Sequence, residues 1–233
     1  MNTEQPTAER TVYDIFAEYH TEIDSKLDVL HKELPFLKDG INLIIGESKA
    51  GKTYSTIKCL VDNGFKEQVI HLDFDRNADS RLKQLGVLTY HINNVEGFIL
   101  SLNNLGTNLF DKLKDKILVV DSLQDLSLGD GVDSNSGALN TMKRVQGFKD
   151  TGATIIVIHH VTLDAEGQPK VKGNASVITS KSDTTISFIK KDSSTRTMKV
   201  LNTRAEDKIP SETLYTFKNE KLTMNKGKTS VPK

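Results

Sequence analysis

Residues 41–61 read INLIIGESKAGKTYSTIKCLV, and the pattern in this stretch guides the interpretation of the whole chain. An apolar run from Ile41 to Ile45 predicts a buried strand, and the residues from Thr53 to Val61 predict a helix. Between them, Gly46 to Thr53 matches G-x-x-x-x-G-K-[ST] at every position. A glycine-rich loop between a strand and a helix points backbone N–H groups and the helix N-terminus at an anion. The stretch therefore predicts a phosphate-binding loop.

The side chains of this loop add a charge and a metal ligand to the backbone donors. Lys52 would supply a point charge to the β- and γ-phosphates of a nucleotide, and Thr53 would offer its hydroxyl to Mg²⁺. Lys49 is a further cation, which either touches phosphate or points to solvent. The predicted nucleotide-binding residues are Gly46, Glu47, Ser48, Lys49, Ala50, Gly51, Lys52, Thr53 and Tyr54.

A second apolar run, Ile117 to Val120, ends in Asp121 and Ser122. Behind a P-loop, four apolar residues followed by aspartate are typical of the strand that carries the magnesium carboxylate. Asp121 is predicted to hold Mg²⁺ through its coordination water, with Ser122 assisting, and the alternative is a plain aspartate at a strand end. Because serine rather than glutamate follows Asp121, the general base has to come from another strand.

Further short apolar runs alternate with segments of helical spacing. This alternation predicts an α/β fold with a mostly parallel central sheet flanked by helices. Toward the C-terminus the pattern changes to β-rich runs separated by turn residues, which predicts antiparallel hairpins. The predicted ranges are strands 69–73, 87–92, 117–120 and 154–158, helices 77–85, 95–115 and 138–150, and hairpin strands 184–190, 195–201, 213–217 and 221–224.

Polar residues follow two of these strands. Asp73 and Asp75 close the run that starts at residue 69, and His159 and His160 close the run that starts at residue 154. Over residues 36–218 this order of motifs resembles the RecA-like core of P-loop ATPases. The resemblance implies that Asp75 orients the water that attacks ATP, with Asp73 as the fallback and two plain turn residues as the alternative. The family usually has glutamate there, so the shorter aspartate implies slow hydrolysis or a different register.

The resemblance also implies roles for two later side chains. His160 would sense the γ-phosphate, whereas a metal pair with His159 is disfavoured because adjacent strand residues point to opposite faces. Arg204 would reach the γ-phosphate of a neighbouring subunit, and an ordinary exposed arginine is the alternative. Asn202 stands where the family has a lysine, so half of that motif is missing.

Two loops correspond to the DNA-facing loops of the family. Residues 161–172 resemble the mobile DNA-binding loop, and Lys170 and Lys172 are the predicted nucleic-acid contacts. Residues 128–137 occupy the place of the other loop, but their acidic character argues against a phosphate contact. Neither loop contains an aromatic residue, so base stacking is not predicted there.

Residues 9–34 repeat apolar side chains at three- and four-residue steps until Pro35, which predicts one amphipathic helix. Its apolar stripe either covers the protein's own core or packs on a neighbouring subunit. The predicted organisation is an N-terminal helical arm at 1–35, a RecA-like ATPase domain at 36–224 and a basic, disordered tail at 225–233.

Composition limits the classes of protein that fit. The 233 residues contain 31 Lys and Arg against 31 Asp and Glu, which excludes a polycationic nucleic-acid binder but not a local basic patch. Residues 165–233 hold fourteen basic and seven acidic residues, which indicates an anionic partner or a solvated tail. The single cysteine, Cys59, excludes a disulfide framework. Without an apolar run of about 18 residues or a secretory signal, a cytoplasmic protein without membrane contact is expected, in a bacterial, plasmid or phage context.

The resemblance implies a function in DNA replication or recombination. The chain resembles RepA-type plasmid or phage helicases and phage RecA-core recombination ATPases, which implies binding and hydrolysis of Mg·ATP on single-stranded DNA by a homo-oligomeric ring or filament. The alternative is an ATP-dependent oligomeric regulatory switch that recruits a protein partner without acting on DNA. A small-molecule kinase is disfavoured because the C-terminal third is rich in strands and lacks an Arg-rich lid.

Overall fold

The computed structural model describes residues 27–75, 80–104, 112–163, 169–211, 213–218 and 221–225. Within these residues strands alternate with helices as far as residue 180, and only strands follow. The strands are β1 (Ile41–Gly46), β2 (Val69–Asp73), β3 (Leu88–His91), β4 (Ile117–Asp121), β5 (Thr154–Leu163), β6 (Pro169–Val171), β7 (Thr184–Lys190), β8 (Thr195–Thr203), β9 (Leu214–Lys218) and β10 (Lys221–Asn225). The helices are α1 (Lys52–Asp62), α2 (Ser80–Leu85), α3 (Val95–Asn104), α4 (Asn135–Lys149) and α5 (Ala175–Ser180), with a 3₁₀ helix at Asp125–Asp130.

The central sheet is mostly parallel, as the alternation of strands and helices predicts. Its strand order is β10-β9-β8-β7-β1-β5-β4-β2-β3. The six strands from β7 to β3 run parallel, and β8, β9 and β10 extend the sheet by antiparallel hairpins. Strand β5 lies between β1 and β4, so the strand that carries the P-loop does not touch the strand that carries Asp121. The carboxyl ends of β1, β5, β4 and β2 consequently lie side by side.

Both faces of the central strands β1, β4 and β5 are covered, which explains why these strands are apolar at most positions. Ile44, Ile57 and Leu60 belong to the core under α1. On the opposite face, Leu43 and Met142 belong to the core under α4. Because successive strand residues point to opposite faces, β1 supplies both cores from neighbouring positions.

Most of the predicted elements are confirmed to within a few residues. Helix α4 starts three residues earlier than expected, because the hydroxyl of Ser134 accepts a hydrogen bond from the backbone N–H of Gly137 and caps the helix. Residues 105–111 of the helix predicted at 95–115 lie outside the described residues. No helix among the residues in the structure is long and apolar enough to cross a membrane.

The helix predicted at 9–34 is wrong for its last eight residues. Residues 27–34 form no helix, and Val29 makes an antiparallel β-bridge with Leu37. The backbone N–H of Leu30 donates to the carbonyl of Phe36, so the chain folds back around Pro35. Leu34 is 1 % exposed and joins the core under α1, which is the role in the protein's own core that the sequence left open. Residues 9–26 lie outside the described part of the chain.

The two predicted loops and one domain boundary also need correction. Strand β5 continues to Leu163 and pairs antiparallel with β6. Within the described residues, both ends of the segment 161–172 therefore lie in paired strands rather than in a loop. Residues 128–137 comprise the end of the 3₁₀ helix, a turn and the start of α4. Asn225 pairs with Leu214 in the sheet, so the ordered domain extends one residue past 224. The remaining tail lies outside the described residues.

Candidate functional site

The polar residues predicted to act together are brought to one edge of the sheet. In the parallel register Gly46 is opposite His160, and Asp73 is opposite Asp121. Gly46, His160 and Asp121 point to the face that α1 covers, because they fall at the same alternating positions as the core residues under that helix. The carboxyl ends of four strands thus surround the start of α1.

The glycines of the loop meet two different backbone requirements. A Cβ atom on Gly46 would lie 2.5 Å from the carbonyl oxygen of Phe188, so no larger residue fits beside β7. Gly51 has φ +88° and forms the N-cap of α1, and Lys49 has φ 59°. These left-handed residues turn the chain sharply enough to aim backbone N–H groups into the loop. Glu47, Ser48 and Lys49 are exposed at its tip, whereas Ala50 is buried.

The amino group of Lys52 lies inside the loop. It donates to the carbonyl oxygens of Gly46 at 2.9 Å and Glu47 at 2.8 Å, and its Nζ lies 3.5 Å from Nδ1 of His160. Burial lowers the pKa of Lys52 to about 8, against the opposing effect of Asp121, Asp75 and Glu47. A phosphate in the loop would supply the counter-charge that this buried cation lacks.

Asp121 and Thr53 form the second half of the site. The hydroxyl of Thr53 donates to Oδ2 of Asp121 at 2.5 Å. Burial raises the pKa of Asp121 to about 6, and Asp73 and Asp75 add to the rise, while the hydrogen bond from Thr53 and the charge of Lys52 oppose it. The hydroxyl of Ser122 instead donates to Asp125, so the assisting role predicted for Ser122 has no support in its contacts.

The adjacent hydroxyl and carboxylate are suited to a magnesium ion. Both are hard oxygen donors, and a divalent cation would offset the buried negative charge that raises the pKa of Asp121. The described residues contain no group of three or more His, Cys, Asp or Glu side chains able to hold a metal. A magnesium ion at this pair would take one carboxylate and one hydroxyl from the chain and its other ligands from water or phosphate.

The two carboxylates at the end of β2 have different surroundings. Oδ2 of Asp73 lies 2.7 Å from Nδ1 of His91, and the Asp73 side chain is almost fully buried. Asp75 is half-buried, and its charge acts on Lys52, Asp121 and His160. Both carboxylates act on Asp121, but of the two predicted candidates only Asp75 also acts on Lys52 and His160, while Asp73 is engaged by His91 of β3.

The histidine pair divides between the two faces of the sheet, as the alternation predicts. His160 is half-buried beside Lys52, and burial together with the Lys52 charge lowers its pKa. His159 is fully buried on the other face, where Nε2 lies 2.7 Å from the carbonyl oxygen of Lys172. Burial lowers the pKa of His159 to about 4. The two rings therefore do not share one ligand site.

Of the remaining predicted cations, Lys172 and Arg204 have hydrogen-bond partners within the chain, and Lys170 is exposed. Nζ of Lys172 donates to Oε1 of Gln124 at 2.6 Å, and Lys170 is exposed on β6. Arg204 donates to Asp183 at 3.1 Å and to the carbonyl of Ser180 at 2.7 Å, at the amino edge of the sheet. Its role on a neighbouring subunit, like the nucleic-acid contacts of the two lysines, stays a prediction.

Sequence reasoning missed a cleft of about 190 Å³ beside the loop. Arg196 Nε donates to the carbonyl oxygen of Ala50 at 3.2 Å, and the guanidinium of Arg81 lies 4.4 Å from the ring centroid of Tyr54. Ser55 Oγ is buried in the wall without a hydrogen-bond partner among the described residues. The predicted hairpin placed Arg196 just after a turn, but nothing in the sequence showed that β7 lies next to β1.

No family model matches the chain, and no curated protein matches it.

Proposed function

We propose that the protein binds and hydrolyses Mg·ATP as a RecA-like P-loop ATPase. One observation carries the proposal: Lys52, Thr53, Asp121, Asp75 and His160 come from four different strand–loop segments and converge at the start of α1. A buried cation, a hydroxyl–carboxylate pair and a further carboxylate are the groups that phosphoryl transfer to water requires. The position of β5 between β1 and β4 supports the RecA-like assignment, because it puts His160 against the loop.

The two sides of the loop suggest how a nucleotide lies in it. Lys52, Asp121 and Asp75 define the side where the γ-phosphate belongs, since the P-loop lysine and the metal hydroxyl act on the β- and γ-phosphates. The sugar and base would then leave toward Tyr54. The cleft lined by Tyr54, Ser55, Arg81 and Arg196 is open on that side. Stacking on the guanidinium of Arg81 is an interaction available to a base there.

The mechanism rests on positioning and charge. Lys52 exchanges its bonds to loop carbonyls for the phosphate oxygens and stabilises the charge that develops on them. Asp75 accepts a hydrogen bond from the attacking water and orients it. Thr53 and Asp121 would hold Mg²⁺, which when bound neutralises phosphate charge. His160 stands next to Lys52, where it is able to sense whether the γ-phosphate is present.

We further propose that the ATPase assembles as a homo-oligomer and acts on single-stranded DNA in replication or recombination. The basic C-terminal third supports an anionic partner. The alternative is a nucleotide-dependent switch that recruits a protein partner. The hydrogen bond from Lys172 to Gln124 favours this alternative, because it engages one of the two lysines that are predicted to contact nucleic-acid phosphates.

Phosphate release from ATP, with and without single-stranded DNA, tests the proposal. The native protein is expected to release phosphate only with Mg²⁺, and DNA is expected to accelerate the release more at low salt than at physiological salt. Lys52→Ala should abolish the release. Lys58→Ala is the matched control, because Lys58 lies on the same helix and contacts Asp62 rather than the loop.

The outcomes separate the candidates. A native protein that binds no ATP analogue refutes the ATPase proposal. A rate that ignores DNA, combined with no DNA binding in the presence of a non-hydrolysable analogue, refutes the DNA role and leaves the switch. Equal loss in the Lys52 and Lys58 variants would show that the loop lysine has no special part.

A further inference from the structure

A cavity of about 320 Å³ adjoins the carboxyl edge of the sheet on the side of β3. Its walls include His71, Asp73, Thr89 and His91. His71 is 2 % exposed, and its Nε2 has no hydrogen-bond partner among the described residues. That atom lies 4.0 Å from Oδ2 of Asp121, the carboxylate of the candidate magnesium site. A buried histidine without a partner beside a buried carboxylate calls for an explanation.

The surroundings of His71 determine where its ring proton lies. Thr89 Oγ1 is 3.4 Å from Nδ1, and the carboxylate of Asp121 faces Nε2. A proton on Nε2 points at the negative carboxylate, whereas a lone pair there would be repelled by it. The hydroxyl of Thr89, which also lies 3.5 Å from the carbonyl oxygen of Val87, is then the donor to Nδ1. Burial lowers the pKa of His71 to about 4.

The contacts of Asp73 and Asp121 explain why Asp121 needs His71 Nε2 as a hydrogen-bond donor. Asp73 is already engaged by His91 at 2.7 Å. Asp121 accepts from Thr53, which is the hydroxyl that a bound cation would take. When Thr53 turns to the cation, Asp121 loses that hydrogen bond. His71 Nε2 is 4.0 Å away, about 1 Å longer than an N–H···O hydrogen bond.

We propose that His71 is a positioning residue that donates a hydrogen bond from Nε2 to Asp121 when the magnesium–nucleotide complex is bound. The inference rests on the proposed function, because it assumes that Asp121 serves the cation. His71 touches neither nucleotide nor metal. It sets the orientation and basicity of the carboxylate in the way that outer partners of metal ligands generally do. Thr89 acts one step further out by holding the tautomer.

Metal affinity is the direct test. Mn²⁺ substitutes for Mg²⁺, and electron paramagnetic resonance gives its affinity for the protein saturated with a non-hydrolysable ATP analogue. His71→Leu is expected to weaken Mn²⁺ binding about 10- to 100-fold, the usual effect of removing such a partner. His71→Gln, whose amide N–H can replace Nε2–H, is expected to restore most of the affinity. Binding of the analogue in EDTA should be the same in all three proteins.

A second pair of variants distinguishes a specific loss of metal affinity from a general loss of folding. Thr89→Val removes only the hydroxyl that holds the tautomer and should weaken Mn²⁺ binding in the same direction by a smaller factor. Thr141→Val is the matched control, because Thr141 is buried in α4 on the opposite face and bonds to Gly137. The inference is overturned if the His71 and Thr89 variants bind Mn²⁺ as tightly as the native protein. If the native protein binds no analogue even in EDTA, the proposed function fails, and this inference fails with it.

Discussion

The two edges of the parallel sheet bury charged side chains in opposite ways. At the amino edge, Asp183 is almost fully buried and accepts hydrogen bonds from the backbone N–H of Ile41, from Lys149 and from Arg204. Asn42, also at this edge, uses its amide to bond the carbonyls of Leu37 and Ile155 and the N–H of Leu37. Asp183 and Asn42 thus find their partners within the chain.

At the carboxyl edge the partners are incomplete. Burial moves the pKa of Lys52 down to about 8 and that of Asp121 up to about 6, and His71 Nε2 has no partner among the described residues. A fold tolerates buried charge that is paired and hydrogen-bonded, whereas buried charge left partly satisfied is typical of a binding site. This difference between the edges supports the proposal that the carboxyl edge binds a ligand.

The largest effect is expected from breaking the amino edge. Asp183→Ala should lower the free energy of unfolding by about 3 kcal/mol, because it removes one partner of a buried ion pair and leaves the N–H of Ile41 unsatisfied. Chemical denaturation measures the change. Asp62→Ala, which removes only a half-exposed partner of Lys58, is the control and should cost less than about 1 kcal/mol. Equal losses in both variants would contradict the structural role of the amino edge.

At the carboxyl edge, removing a buried charge is expected to raise the free energy of unfolding rather than lower it. The folded-state pKa of Asp121 is about 6, above its ordinary value of 3.8, so the folded protein binds this proton more tightly and stability falls as pH rises from about 4 to 6. Asp121→Asn removes this penalty and should stabilise the apoprotein at pH 7.5 by about 2–3 kcal/mol. Unfolding measured from pH 4 to 8 checks it, since the advantage should vanish near pH 4. A variant less stable than the native protein at pH 7.5 would mean that Asp121 belongs with the structural charges.

These predictions depend on two kinds of feature. Some follow from local sequence pattern, and others follow only from the order of the strands. The strand–loop–helix unit and the apolar run before Asp121 follow from local pattern, because glycine spacing and apolar periodicity are properties of neighbouring residues. The order of the strands is not local. That β5 lies between β1 and β4, and that β7 borders β1, decides the surroundings of His160 and Arg196, and neither could be predicted from spacing.

The other features that the sequence failed to predict have the same cause, because each depends on contacts that residue spacing does not show. The apolar residues before Pro35 satisfy a helical period, but the hydrogen bond from Leu30 to Phe36 and the bridge to Leu37 stabilise a turn there instead. His71 gave no signal, because a single histidine in an apolar strand acquires meaning only from its neighbours on β3 and β4. Ion-pair partners such as Asp183 and Arg204 are also distant in sequence and carry no shared motif.

The comparison is sharpened by the two acids at the end of β2. Asp75→Asn should lower the rate of phosphate release about 100-fold with nucleotide affinity little changed, because Asp75 orients water rather than binding phosphate. Asp75→Glu should retain activity, since the longer side chain carries the same carboxylate. Asp73→Asn is the control and should affect stability through His91 more than rate. A reversed pattern, with the larger rate loss in the Asp73 variant, would exchange the two assignments.

The smallest loss of stability is expected from replacing Arg204. This residue tests whether the amino edge is purely structural, because Arg204 is also predicted to act on a neighbouring subunit. The side chain is 56 % exposed, so Arg204→Ala should cost less than about 1 kcal/mol of stability. If the amino edge is purely structural, phosphate release should stay within about threefold of the native rate, because Asp183 keeps Lys149 and the N–H of Ile41 as partners. An arginine that completes a neighbour's site would instead lower the rate by about 10³-fold or more. Activity would then return on mixing with Lys52→Ala, since each variant subunit would supply the residue that the other lacks. That outcome would assign Arg204 to the carboxyl edge of the next subunit and make the contrast between the edges a property of the isolated chain alone.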